Sequence, residues 1–328
     1  MIYLQSKNGL HGEIQKNRQQ DMDILILIFG FVVGLIFLVK GADEMVDSAV
    51  QIALKFKIPS SIIGATFIGF GTSAPELFAS TGAALNGDLD LGIGNIVGSN
   101  IANSLLVVAV LYLAIPKDFD KKIKLNQLSP VWMAILTTVF VSTYVLFNSF
   151  PLYLGIVLLV LTIYVVYKMV STDSVEEEDF KPEEKNYVWL RGLLSLAATL
   201  YGSQLVVDNA VKLAETFGVS SLVIGSTIIA IGTSLPEVAG TIAAARMRKP
   251  DIVFGNIFGS NLFNIGLVGG VAISISPGNI LSRIDYQLFM MYFVSFLVIF
   301  LSRNVIKRNI VVGYSFIAFY LLFIISLF

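Results

Sequence analysis

The sequence alternates long apolar runs with short polar stretches. Crossing the ~30 Å hydrocarbon core of a bilayer takes roughly 20 apolar residues in a helix. Ten runs meet this requirement, at residues 23–50, 61–86, 91–115, 128–148, 151–170, 189–216, 221–245, 252–275, 285–302 and 309–327. The pattern therefore predicts an all-α polytopic membrane protein with ten transmembrane helices.

Two polar stretches divide the chain. Residues 1–21 have no apolar periodicity, and we expect either a disordered tail or a natural start at Met22. Residues 171–188 are acidic, contain Pro182, and separate two halves of five segments each, at 22–170 and 189–328. We expect this stretch to be a cytosolic linker between the halves.

Composition supports a membrane location and excludes several kinds of chemistry. Apolar residues make up 55% of the chain and charged residues 14%, with a mean hydropathy of +0.80. Soluble domains carry about 25% charged residues. Cysteine is absent and His11 is the single histidine, which excludes disulfides, thiolate sites and a histidine-ligated zinc in the membrane. No basic tract indicates a nucleic-acid partner.

The positive charges predict an orientation. Lys and Arg favour the cytoplasmic side of a membrane protein. If the N-terminus is outside, the inner loops hold most of them, namely Lys55, Lys57, Lys117, Lys121, Lys122, Lys124, Lys181, Lys185, Arg191, Arg246, Arg248, Lys249, Arg303, Lys307 and Arg308. We therefore predict a cell-membrane protein with both termini outside.

The two halves contain an internal repeat. Residues 64–105 align without a gap on residues 225–266, at a constant offset of 161. The matches are Gly, Thr, Ser, Pro, Glu and Asn rather than the common apolar residues, so chance is a poor explanation. Because each half has an odd number of predicted spans, the copies must cross the bilayer in opposite senses. Inverted repeats are common in secondary transporters, where the site lies between the copies.

The first repeated motif is GTSxPE, at residues 71–76 and 232–237. Its proline removes a helix hydrogen bond and frees a carbonyl, so the motif offers carbonyl, hydroxyl and carboxylate oxygens. These are the ligands that Ca²⁺ takes, and Na⁺ should favour them too. An unpaired carboxylate inside the bilayer is costly, so Glu76 and Glu237 are predicted central cation ligands. A proline kink with a protonated glutamate is the alternative.

The second repeated motif is GNxxGSNxxN, at residues 94–103 and 255–264. Its polar residues recur every four positions and share one helical face. We favour a site-facing role for Ser99, Asn103, Ser260 and Asn264. For Asn95, Asn100, Asn256 and Asn261, hydrogen bonds between helices are an open alternative. Four further acids are predicted to line an access path or an interface: Asp43, Glu44, Asp47 and Asp208.

With both motifs, residues 23–328 resemble the calcium/cation antiporter superfamily, and within it the prokaryotic sodium/calcium exchangers. The resemblance implies a ten-helix fold with four central ion sites in a diamond. Glu76 and Glu237 would bridge the sites. The other implied ligands are the hydroxyls of Thr72, Thr233, Ser99 and Ser260, carbonyls near Gly69 and Ala230, the amides of Asn103 and Asn264, and the secondary ligands Ser73 and Ser234.

The resemblance also implies a function. We expect electrogenic exchange of Na⁺ for Ca²⁺ by a monomer, in which helices 1 and 6 slide past a rigid core. No enzymatic activity is expected, and no cofactor apart from the transported ions. Potassium-dependent relatives carry an acid at the position of Asn264, so this chain should be independent of K⁺. Ca²⁺/H⁺ or Na⁺-driven Mg²⁺ antiport is the nearest alternative. A non-transporting receptor or scaffold leaves the repeat unexplained, and a hydrolase lacks the necessary side chains.

Overall fold

Helices form nearly all the regular structure of the protein. The computed structural model describes residues 2–122, 128–171, 187–218, 230–280, 284–303, 305–307 and 309–327. In the first half the helices are α1 (Ile2–Phe56), α2 (Ser60–Ile63), π1 (Gly64–Ile68), α3 (Gly69–Thr72), α4 (Ala74–Leu85), α5 (Leu89–Ala102), π2 (Asn103–Val107), α6 (Val108–Ala114), α7 (Leu128–Phe147) and α8 (Leu152–Ser171), where π marks π-helical turns.

The second half is described over residues 187–218, 230–280, 284–303, 305–307 and 309–327. Its helices are α9 (Val188–Thr216), α10 (Ala230–Gly232), α11 (Leu235–Arg246), α12 (Pro250–Phe263), π3 (Asn264–Val268), α13 (Gly269–Ile275), α14 (Asp285–Ser302) and α15 (Ile310–Ile325). The predicted segment 221–245 begins outside the described residues, since 219–229 are not among them. Its remainder corresponds to α10 and α11.

The helices confirm a multi-pass membrane protein. Among the described residues, seven helices are long and apolar enough to span a bilayer, or eight if a pair bent by 45° at Ser73 counts as one span. Another apolar helix, α15, is shorter. The count of ten spans stays a prediction.

Two features differ from the sequence-based expectation. α1 begins at Ile2, so residues 2–21 are helical and the expected disordered tail is wrong. This tail lacks proline and contains Gln, Lys and Glu, which are good helix formers, so its polarity alone could not end the helix.

The second difference is a small amount of β-structure. Among the described residues, two short antiparallel pairs join the halves: β1 (Asp120–Lys122) with β4 (Val305–Lys307), and β2 (Ser149–Phe150) with β3 (Gly278–Asn279). They satisfy backbone groups of connecting segments, a non-local effect that apolar periodicity does not report. Near β1, a hydrogen bond of 2.5 Å from Arg248 lowers the pKa of Asp118.

The backbone itself repeats at the 161-residue offset. α4, α5 and π2 have the same lengths as α11, α12 and π3. Left-handed residues also recur in register, with φ of 75° at Gly87 and 58° at Arg248. After these turns, the amides of Asp88 and Lys249 each donate to a carbonyl five residues back at 2.9 Å. The two copies therefore share local structure as well as sequence.

Close backbone contacts position the second copy against the first. A Cβ on Gly255 would lie 2.2 Å from the carbonyl oxygen of Ser61, and one on Gly259 would lie 2.1 Å from that of Ala65. α12 therefore packs directly on α2 and π1. For Gly94 and Gly98 in the first copy, no heavy atom of the described chain lies within 4 Å of such a Cβ.

α1 and α9 form a second close pair. A Cβ on Gly202 would lie 2.3 Å from the amide nitrogen of Leu38, and one on Gly41 would lie 2.7 Å from that of Thr199. Small residues at such crossings let helix backbones approach within a membrane. The pair packs against the segments that carry both copies of the first motif, because α1 contacts α11 and α9 contacts α3, α10 and α11.

Candidate ion-binding site

Both GTSxPE motifs break their helices at the serine. Ser73 has φ −82° and ψ 3°, and Ser234 has φ −92° and ψ 4°. Pro75 and Pro236 lie in the first turns of α4 and α11, where a missing amide hydrogen costs nothing. The proline therefore ends one helix and starts another in the middle of a span.

The break places a glutamate in the first turn of each new helix. Glu76 is 2% exposed and Glu237 is 1% exposed. A helix N-terminus carries a partial positive charge and favours a carboxylate. The two breaks lie close together, since α11 contacts α3, the turn that precedes the first break. That the two glutamates are central cation ligands stays a prediction.

Neither N-cap serine caps its new helix through its side chain. The pattern Ser-x-x-Glu would allow reciprocal capping, yet α4 and α11 have no side-chain cap hydrogen bond. Within the described chain, several buried oxygens at the breaks lack a hydrogen-bond partner: Oγ of Ser73 and Ser234, Oε2 of Glu76, and both carboxylate oxygens of Glu237. Buried carboxylates without partners are strongly unfavourable when ionised, and oxygens of this kind can coordinate a cation.

Neutral oxygens from both halves converge beside the first break. The hydroxyls of Thr72 and Ser260 lie 3.4 Å apart, and Ser260 donates to the carbonyl of Gly69 at 3.2 Å. Oδ1 of Asn256 lies 3.5 Å from the Thr72 hydroxyl and 3.3 Å from that of Ser260. Three of the predicted ligands are therefore brought together, and Asn256 makes a contact between helices, which the sequence left as an open alternative for it.

The second break has different neighbours. Pro236 is expected to free the carbonyl of Gly232, four residues before it. That carbonyl instead accepts a hydrogen bond of 3.2 Å from Ser203. Thr233 is half-buried beside it, and Ala230 begins α10. Ligand roles for these two residues stay predictions. Asn95, the repeat mate of Asn256, instead donates to Ser80 at 2.9 Å.

Asn103 and Asn264 each begin a π-helical turn. Both are buried, and within the described chain neither the oxygen nor the nitrogen of either amide has a hydrogen-bond partner. π-turns inside α-helices are frequent at functional sites. No periodicity in the sequence signals them. Nearby, Asn100 donates to the carbonyl of Asn261 at 3.4 Å, a bond between the two repeat helices.

The resulting site combines two carboxylates with neutral oxygens. The described residues contain no group of three or more His, Cys, Asp or Glu side chains that could hold a metal. Hydroxyl, amide and carbonyl oxygens with few carboxylates suit hard cations such as Ca²⁺. A bound divalent cation would match the charge of Glu76 and Glu237.

One residue near the site was missed as a functional candidate. Arg191, placed among the loop charges by the sequence, donates to Glu44 and, at 3.0 Å, to Asp47. The sequence offered no signal, since these residues lie about 145 positions apart.

Comparison with known proteins identifies the family. The profile of the family described as "Sodium/calcium exchanger protein" matches residues 26–172 and 187–328. The sodium/calcium exchanger MaX1 of Methanosarcina acetivorans is 32% identical, covering 94% of this chain and 99% of that protein. The inner membrane protein YrbG of Escherichia coli is 35% identical over 76% of this chain and 80% of its own length.

A solved structure agrees with these sequence relatives. The sodium-calcium exchanger NCX_Mj, soaked with 10 mM Na⁺ and 10 mM Sr²⁺, superposes with a TM-score of 0.79 at 29% identity. The match covers 93% of this chain and 99% of that one. This membrane protein therefore belongs to the sodium/calcium exchanger family.

Proposed function

We propose that the protein exchanges Na⁺ for Ca²⁺ across the cell membrane. The observation that carries this proposal is the pair of buried glutamates, Glu76 and Glu237, with three carboxylate oxygens that have no hydrogen-bond partner among the described residues. Such a pair needs cations to be stable inside a protein. The family membership and the names of MaX1 and NCX_Mj support Na⁺ and Ca²⁺ as those cations.

The charge of the site supports antiport. One Ca²⁺ ion neutralises both carboxylates, and Na⁺ ions can do the same. Ca²⁺ and Na⁺ therefore compete, because they repel each other and need the same oxygen ligands. Beyond the carboxylates, the cluster of Thr72, Ser260 and Gly69 offers further oxygens for a Na⁺. If more than two Na⁺ ions replace one Ca²⁺, exchange is electrogenic.

The repeat supports alternating access. Two copies of the same local structure contribute one glutamate each, and in an inverted arrangement each copy would face one side of the membrane. Sliding of α1 and α9, the helices that cover the motifs, would open the site to either side. The ligands come from one chain, so a monomer is sufficient for function.

The amide of Asn264 supports independence from K⁺. The described residues add no third acidic side chain to Glu76 and Glu237. The positive charge that the site can hold is therefore limited to that of Ca²⁺ or of the competing Na⁺ ions. Uptake should therefore be the same with and without K⁺ on either side.

Uptake of radiolabelled Ca²⁺ into proteoliposomes tests the proposal. Vesicles are loaded with Na⁺, K⁺ or choline, and a pH gradient is imposed in a parallel set. Uptake that requires internal Na⁺ and responds to an imposed membrane potential is expected. Uptake driven by protons alone would replace this function by Ca²⁺/H⁺ exchange, and Mg²⁺ uptake in place of Ca²⁺ would favour Na⁺/Mg²⁺ exchange.

A further inference from the structure

An ion-pair cluster joins α1 to α9 near one end of the pair. Nη2 of Arg191 in α9 donates to Glu44 and to Asp47, which lie one turn apart on α1. All three side chains are partly buried, with exposures of 27%, 46% and 28%. Charge-assisted hydrogen bonds from a guanidinium to two carboxylates are strong and hold a defined geometry. The part of the α1 and α9 pair that contains these three residues is the Arg191 end.

The cluster lies next to the helices that hold the ion site. Between its two acids on α1, Met45 contacts Gly240, one turn beyond Glu237 in α11. On α9, Leu196 contacts Gly71, at the break that precedes Glu76. The surfaces joined by Arg191 are therefore those that cover both glutamate-bearing segments.

Aromatic packing closes the same end. The ring of Trp189 lies 5.8 Å from that of Phe56 and 6.0 Å from that of Phe67. Ser48, one position after Asp47, is fully buried and faces Gly192. Ser48 itself is therefore shielded from solvent at this end.

The repeat provides a direct comparison with the other end. At the 161-residue offset, Asp47 corresponds to Asp208, which lies 17 residues, or about 25 Å, from Arg191 along α9. Arg191 itself corresponds to Gly30, so the arginine has no counterpart in the first copy. Asp208 is exposed and accepts a hydrogen bond of 2.7 Å from Gln204 of its own helix, and it forms no ion pair with any described residue. This is the Asp208 end.

We propose that Arg191 is a positioning residue. Its ion pair with Glu44 and Asp47, named the clasp, holds α1 against α9 at the Arg191 end alone, so that the ion site opens less readily there than at the Asp208 end. The proposal deepens the exchange function and rests on it for its role in transport. It assigns an asymmetry to two halves whose motifs are otherwise alike, and it places that asymmetry in three charged residues outside the site.

Thiol accessibility tests the clasp directly, because the natural chain has no cysteine. Ser48→Cys reports on the Arg191 end, and Asn209→Cys, its repeat mate, reports on the Asp208 end. Each is made alone and with Arg191→Gln, purified, reconstituted in lipid vesicles, and treated with a small charged methanethiosulfonate reagent. We expect Arg191→Gln to raise the modification rate at position 48 by about tenfold, the effect of losing a partly buried charge pair. The rate at position 209 should change less than twofold.

Two further variants separate the clasp from a general loss of structure. Glu44→Gln combined with Asp47→Asn removes the acceptors instead of the donor, and should give the same increase confined to position 48. Arg191→Lys, which keeps the charge, should give a smaller increase. An unchanged rate at position 48 in both the donor and acceptor variants would overturn the proposal, and so would equal increases at the two ends.

The same preparations keep this inference apart from the proposed exchange. Thiol modification needs no ion gradient, so it reports on the clasp even if the vesicles take up no Ca²⁺. A clasp effect without Na⁺-dependent uptake would contradict the exchange function alone. Na⁺-dependent uptake with no end-specific thiol effect would contradict the clasp alone.

Discussion

At the scale of single residues, the central feature is a pair of carboxylates held without partners. Glu76 and Glu237 are buried at the starts of two helices, and three of their four carboxylate oxygens have no hydrogen-bond partner among the described residues. The neutral oxygens of Thr72, Ser260 and Gly69 are already arranged within 3.5 Å of one another. Preorganised oxygens reduce the cost of ordering ligands around an ion.

Replacing either glutamate by glutamine should separate transport from folding. Glu76→Gln or Glu237→Gln is expected to lower Na⁺-dependent Ca²⁺ uptake by about 100-fold, because a neutral amide cannot replace a carboxylate ligand. The unfolding temperature in ion-free detergent should stay the same or rise, since an unpaired buried charge is removed. Glu215→Gln, at the exposed end of α9, is the matched control. Full uptake in either site variant would refute the assignment.

An acid at position 264 should make Ca²⁺ affinity depend more steeply on pH. In Asn264→Asp, the new carboxylate attracts Ca²⁺ only when it is deprotonated. The KM for Ca²⁺ should therefore fall as the pH rises from about 6 to about 8, by roughly tenfold more than in the natural chain. Uptake rates across this pH range provide the measurement, with Asn264→Ala as the uncharged control. Superimposable KM profiles for the Asp variant and the natural chain would place Asn264 away from the ion.

At the scale of helices, close packing positions the site. α12 lies directly on α2 and π1 because Gly255 and Gly259 have no side chains, and this contact brings Ser260 to the break beside Thr72. The π-turns that begin at Asn103 and Asn264 shift the register of their helices by one residue. Glycine spacing thus determines which polar residues meet.

Two alanine substitutions should have opposite consequences. Gly259→Ala would place a Cβ 2.1 Å from the carbonyl oxygen of Ala65, and should lower the free energy of unfolding by about 1–3 kcal/mol or prevent assembly. Gly82→Ala lies within α4, where no heavy atom of the described chain would be within 4 Å. It should be neutral or stabilising by up to about 1 kcal/mol. Thermal unfolding monitored in detergent measures both, and equal unfolding temperatures would contradict the close contact.

At the scale of the whole molecule, two similar halves enclose one site but differ at their edges. The turn after α4 and the turn after α11 repeat in conformation. By contrast, the ion pair of Arg191 with Glu44 and Asp47 has no equivalent among the described residues at Asp208, the repeat mate of Asp47. The halves can therefore share a site while opening with unequal ease.

Labelling of the repeated turns should reveal their inversion. Asn86 and Met247 are repeat mates and both are exposed. In a chain without native cysteine, Asn86→Cys should react with a membrane-impermeant maleimide applied outside intact cells. Met247→Cys should react only after the membrane is permeabilised, because the copies are predicted to cross the bilayer in opposite senses. Reaction of both from the same side would exclude an inverted repeat.

The linear pattern alone predicted a multi-pass membrane protein and located the internal repeat and the two glutamates that the fold buries. Segment length is dictated by bilayer thickness, and an unpaired acid in an apolar run needs a ligand wherever the chain places it. Folding in three dimensions decided which oxygens surround those acids, that the carbonyl of Gly232 pairs with Ser203, and that Arg191 meets Glu44 and Asp47. These contacts join residues far apart in the chain, and the π-turns depend on local backbone packing. Neither kind of feature can therefore be predicted from the periodicity of the sequence.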